Sequence, residues 1–97
     1  MAIQLKNPKN PENLRDTVAM LDYTFASYVN LAGNVIVLLR VKPDNFKQYK
    51  ELFVAFMYFF ESTFGIDVDE RCGSREWLAP LAFDPNIKVN TNGHRLF

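Results

Sequence analysis

The chain has 97 residues, 48% hydrophobic and 14% aromatic, enough for one globular domain with a real core. Eleven basic residues balance eleven acidic ones, so no global field draws the chain to nucleic acid or to an anionic membrane. The lone Cys72 excludes an intrachain disulfide and fits a reducing, cytoplasmic setting.

Residues 1–6, Met1-Ala2-Ile3-Gln4-Leu5-Lys6, lack the apolar core of a signal peptide. No repeat, low-complexity tract or linker follows, so a single domain is expected over residues 1–97. A first helix is expected over about residues 11–22. Asn10 can cap it, Pro11 suits the first helical position, and Glu12 complements the positive end of the dipole. Leu14, Val18 and Leu21 form its apolar stripe. So short a helix must dock on another element to persist.

Two runs rich in aromatic and β-branched residues follow, Thr24-Phe25-Ala26-Ser27-Tyr28-Val29 and Val35-Ile36-Val37-Leu38-Leu39-Arg40-Val41. The Gly-containing connection between them makes a hairpin. The second run is apolar on both faces until Arg40, which predicts an interior strand.

A long helix is expected next, with Asp44 as N-cap after Pro43 and Gly65 as its left-handed stop. On a helical wheel Phe46, Leu52, Phe53, Phe56, Phe59, Phe60 and Phe64 share one apolar arc, and Phe53, Phe56 and Phe60 are expected to be the most buried. Val54, Ala55 and Tyr58 interrupt the polar side of the same helix. Either another element of the domain covers them, or they form a partner-binding surface with a charged rim. The apolar run is too short to cross a bilayer.

Ile66-Asp67-Val68-Asp69 reads as a strand, and a strand–helix–strand unit implies a parallel pair. Residues 77–83 suggest an edge strand, since Pro80 cannot donate to a ladder, and residues 87–89 a short extended piece. The expected fold class is therefore α+β, with two helices packed on a mixed sheet of three or four strands.

Four groupings could carry chemistry. Asp67 and Asp69, two apart on a strand, can turn two carboxylates toward one divalent ion, although solvated surface acids show the same spacing. Arg40, Lys42, Lys47 and Lys50 form either a basic edge for nucleic acid or a solvated face. Cys72 stands near Arg71 and Arg75, which favour a thiolate, yet no histidine base adjoins it in sequence. His94 lies in a polar, Gly-containing tail, where a solvated side chain is the ordinary reading.

The stretch Phe64-Gly65-Ile66-Asp67-Val68-Asp69, then Phe83-Asp84-Pro85-Asn86-Ile87-Lys88-Val89-Asn90 and the final Phe97, resembles the VirE-type N-terminal domain of the primase–polymerase superfamily, found in proteins of bacterial mobile elements. The resemblance spans residues 23–97 and includes the hairpin and the aromatic helix. It implies a primase-palm-like scaffold. That family uses an acidic pair on an early strand, which nothing upstream of Tyr23 supplies, and a basic residue after the hairpin glycine, where Val37 stands here. Of its acidic positions Asp69 alone has a counterpart, with Asp67 beside it. A metal-dependent polymerase cannot run on that remnant, because the phosphates and metals would lack ligands.

The implied function is a non-catalytic binding protein of a phage or other mobile element. It would act as adaptor or inhibitor of nucleic-acid-handling or host-defence machinery, with no catalytic residue and no cofactor. The expected partner is a protein, or a second copy in a homodimer, met through Val54, Ala55 and Tyr58. Nucleic acid is the less favoured partner, and no membrane is implied. Residual metal-dependent nucleotidyl or phosphodiester chemistry at Asp67 and Asp69, and direct nucleic-acid binding along the basic edge, are the alternatives.

Overall fold

The computed structural model describes residues 1–41, 43–73 and 86–90. The expected hairpin forms as β2 (Thr24–Val29) and β3 (Val35–Leu39), paired antiparallel with Ser27 opposite Val37. Asn30 organises its turn: the side-chain Oδ1 accepts from the amides of Ala32 and Asn34, both at 3.0 Å. Gly33 closes the turn at φ 82°, a left-handed value that a Cβ resists. A bulge at Phe25 shifts the register between Thr24 and Ala26 and leaves the Phe25 ring exposed.

A strand that the sequence pattern did not reveal, β1 (Ala2–Leu5), pairs antiparallel with the other edge of β3, with Ile3 opposite Val37. Its alternation is only four residues long, too little periodicity to register as a strand. The expected extended piece near residue 88 is β4 (Lys88–Val89), antiparallel to β2. The sheet order is β1-β3-β2-β4, and every pairing is antiparallel.

The expectation of a mixed sheet is therefore corrected. Residues 66–69 do run parallel to β3, but β1 lies between them and is antiparallel to both. The segment meets β1 through the single bridge Leu5–Val68, with Lys6 N–H donating to Asp67 O and Asp69 N–H to Gln4 O at 2.8 and 2.9 Å. Counting that bridge as a strand, the connectivity is a pair of interleaved split β-α-β units, the ferredoxin-like arrangement.

The first helix, α1 (Pro11–Val18), is capped by Asn10, whose side chain accepts from Asn13 N–H at 3.1 Å. It stops four residues earlier than the apolar spacing suggests. Thr24 Oγ1 donates to Val18 O at 2.7 Å in the core, and the amides of Met20 and Leu21 turn back three residues instead of four. The long helix, α2 (Phe46–Phe64), begins one residue later than expected: Asn45, not Asp44, accepts from Gln48 N–H at 2.8 Å. Gln48 Oε1 in turn accepts from Asp44 N–H at 2.6 Å, a reciprocal cap close to a capping box. Gly65 ends α2 at φ 62°, as its place in the sequence predicts. No helix among the described residues is long and apolar enough to cross a membrane.

Both helices pack on one face of the sheet. Ile3 and Leu5 of β1 and Val35, Val37 and Leu39 of β3 meet Val18 of α1 and Phe53 and Phe60 of α2. Ser27 Oγ, on the same face, donates to Arg15 O at 2.7 Å and ties α1 to β2. Phe56, expected among the most buried rings, is only half-buried and flanks Phe60 at 6.5 Å between centroids. Phe60 has no exposure at all. Its truncation to alanine should cost about 3–5 kcal/mol, read as a lower urea midpoint at unchanged slope. An unchanged midpoint would mean that α2 presents a different face to the sheet.

Candidate functional site

The polar-side apolar residues of α2 are where function is best sought. Val54 is 42% exposed, Tyr58 65%, and Ala55 is open as well. They are joined by Phe59, 40% exposed, which the wheel had assigned to the core arc. Phe59 stands at the edge of that arc. Because α2 turns Phe53 and Phe60 squarely onto the sheet, Phe59 is carried to the flank, where its ring meets Phe60 edge-on at 5.3 Å.

Beside that flank runs an apolar groove of about 360 Å³. Leu52, Ala55, Phe56 and Phe59 form one wall; Leu21, Asp22, Tyr23 and Thr24 form the other; Leu39 and Phe60 also line it. The groove follows from the early end of α1. Had the helix run to residue 22, another turn would have stood over this flank; the chain turns back there instead, leaving Met20 83% exposed at the end of α1. The second wall is held by Asn90, whose Nδ2 donates to Leu21 O at 2.9 Å and whose N–H donates to Phe25 O at 2.9 Å. Sequence reasoning missed Leu21, Tyr23 and Phe59 as site residues. The one available signal was that Met20 and Leu21 continue the apolar character past Val18.

The two acids expected to converge on a metal have separate fates. Asp67 is exposed, and its backbone carbonyl is the part that bonds to β1. Asp69 is buried at 4% exposure and its carboxylate is already occupied. Arg71 clasps it with Nη2 at 2.6 Å and Nε at 3.0 and 3.1 Å, the Arg71 amide adds 3.0 Å, and Gln4 Nε2 donates at 3.3 Å. Asn30 Nδ2 reaches Gln4 Oε1 at 3.5 Å, so the network links the hairpin turn, β1 and the segment after α2. Among the described residues no three His, Cys, Asp or Glu side chains come together as a metal-holding group.

Comparison with known proteins finds no matching family model, curated protein or solved structure. The site must therefore be read from its own geometry.

The basic residues are dispersed in role. Arg40 lies over the Phe25 ring, 5.2 Å from its centroid, and its Nη2 donates to Asn90 O, so it fastens β4 to the bulged end of β2. Its Nε is buried without a hydrogen-bond partner among the described residues. Lys47 and Lys50 are exposed on the first turns of α2, Lys50 lying 5.6 Å from the Phe46 centroid. Lys42 and His94 lie outside the described residues, as do the expected edge strand at 77–83 and the Phe83-Asp84-Pro85 part of the family-like signature. Of the residues that follow, Val89 lies in β4, and Asn90 just after it bonds to Leu21 of the groove wall.

The Arg71 guanidinium beside Asp69 holds its carboxyl below the usual value of 3.8, against the opposing push of burial. The folded form thus binds this proton more weakly than the unfolded chain does. Its contribution to stability is complete above pH 3.8 and is lost as the pH falls through the lower folded value. Asp69→Asn should be less stable than the parent at pH 6, and the two denaturation midpoints should converge as the pH drops below 3.8. Midpoints that stay a fixed distance apart would show that Arg71 does not hold the carboxylate.

Proposed function

We propose that this chain is a non-catalytic binding protein on a primase-palm-like scaffold, docking a protein partner through the exposed face of α2 and the groove beside it. The observation that carries the reading is the continuity of Val54, Ala55, Tyr58 and Phe59 with an apolar, side-chain-sized groove. Large aromatic side chains beside a concave apolar wall are the usual make-up of an interface centre. The resemblance to mobile-element primase–polymerase domains makes nucleic-acid-handling or host-defence machinery the natural setting, with the chain as adaptor or inhibitor.

Two features support a binding role over residual phosphoryl or nucleotidyl transfer. Asp69, the acid in the family-like position, is engaged by Arg71 and Gln4, so a metal would have to displace a bidentate guanidinium. And β1, the strand upstream of the hairpin, is Ala2-Ile3-Gln4-Leu5 and carries no carboxylate to make a pair.

Calorimetric titration with manganese should show no binding in the micromolar range; such binding, abolished in Asp69→Ala, would restore the metal-dependent reading. The positive test is retrieval of the partner by the tagged protein. Tyr58→Glu should lose the partner while keeping the circular dichroism of the parent, and undiminished retrieval would move the docking surface elsewhere.

A further inference from the structure

A second cavity, of about 620 Å³, opens at the end of the sheet where β1 and β2 begin and β3 stops. Met1, Ala2, Phe25, Leu38, Arg40 and Val41 line it. Leu39 is the one described residue it shares with the groove beside α2, so the two are separate sites. Its described lining is apolar except for Arg40, and no acidic side chain is among it.

The guanidinium of Arg40 is underused. It carries five N–H donors, and one contact among the described residues takes any of them, Nη2 to the carbonyl of Asn90. Nε is buried with no partner. The ion pairs of the described residues are Arg15–Asp16 and Arg71–Asp69, and Arg40 belongs to neither. The Phe25 ring, its centroid 5.2 Å from Cζ, attracts the cation through its quadrupole without neutralising it. A carbonyl and an aromatic face supply dipole and quadrupole, and the full charge is left over. A buried, unpaired donor of this kind calls for an acceptor that seats beside it.

The geometry points to a binding site for a small organic oxyanion, a carboxylate or phosphate monoester carried on an apolar body. The forked guanidinium matches two oxygens of such a group better than it matches water, and the opposite charge adds to the hydrogen bonds. The apolar body is required by the rest of the lining. A bare ion would pair with Arg40 and leave Ala2, Leu38 and Val41 facing solvent, whereas an aryl or acyl group covers them. A cavity of this size falls within the range of small-molecule sites, which pair an apolar wall with a few placed polar groups. The bulge serves the site by holding Phe25 half-exposed at its rim, where the ring can turn and admit the anion to Nε.

Titration of the isotope-labelled chain, followed by its backbone amide resonances, tests this with four probes: benzoate, phenyl phosphate, inorganic phosphate and benzyl alcohol. Benzoate or phenyl phosphate should give saturable shifts at Ala2, Phe25 and residues 38–41, and the tighter of the two identifies the anionic group. Inorganic phosphate should bind more weakly, and uncharged benzyl alcohol should not saturate. Arg40→Gln should weaken the binding about tenfold, the effect of losing one charge-assisted contact. Phe25→Leu, at a half-exposed position where the fold has little to lose, should weaken it as well. Absence of saturable shifts in the parent overturns the site. So does benzyl alcohol binding as tightly as benzoate, or Arg40→Gln binding as tightly as the parent. Inorganic phosphate binding as tightly as phenyl phosphate overturns the apolar body.

Discussion

Val35, Ile36 and Val37 lose all their exposure to solvent, and three consecutive residues of β3 can do so only if both faces and both edges of the strand are covered. That constraint organises the molecule. One edge is covered by β2, the hairpin partner, and the other by β1. One face is covered by α1 and α2 together, with Phe53 and Phe60 as the deepest rings. The segment after α2 returns in the direction of β3 but finds that place taken, so it bridges to β1 at Val68. An antiparallel sheet with split crossovers is what these demands leave.

The candidate site comes from how the helices share that face. α1 is anchored by Ser27 and ended by Thr24, two hydroxyls on β2 that take up the carbonyls of Arg15 and Val18. Those bonds satisfy buried acceptors that would otherwise go unpaired, and they stop the helix short of the flank of α2. The flank keeps an apolar wall with no turn of α1 above it, and Phe59 and Tyr58 remain in reach of a partner. The surface proposed for docking is in this sense a by-product of how α1 is capped.

Asp69 shows the opposite outcome, a potentially reactive group put to structural use. Buried carboxylates need partners, and this one has the forked guanidinium of Arg71 and the amide of Gln4. Gln4 is reached in turn by Asn30, so three separated parts of the chain are held by one polar network. Such a network makes the register of the bridge at Val68 specific and leaves the carboxylate little freedom to serve as a ligand.

Local signals in the chain determined much of this structure. The aromatic and β-branched runs around Gly33 specify the hairpin, Pro11 and Gly65 mark where helices start and stop, and the unbroken apolarity of Val35 to Leu39 demands an interior strand. The polar-side position of Val54, Ala55 and Tyr58 was also legible, because a wheel needs only the period of the helix. Tertiary structure alone decided the rest. A strand of four residues declares itself only when β3 offers it an edge, so β1 and the antiparallel sheet that follows from it could not be read from periodicity. The early stop of α1 depends on hydroxyls of Thr24 and Ser27, six and twelve residues from the carbonyls they bind, and no local rule anticipates them. The groove and the exposure of Phe59 inherit that dependence, since each is set by the position of one element against another.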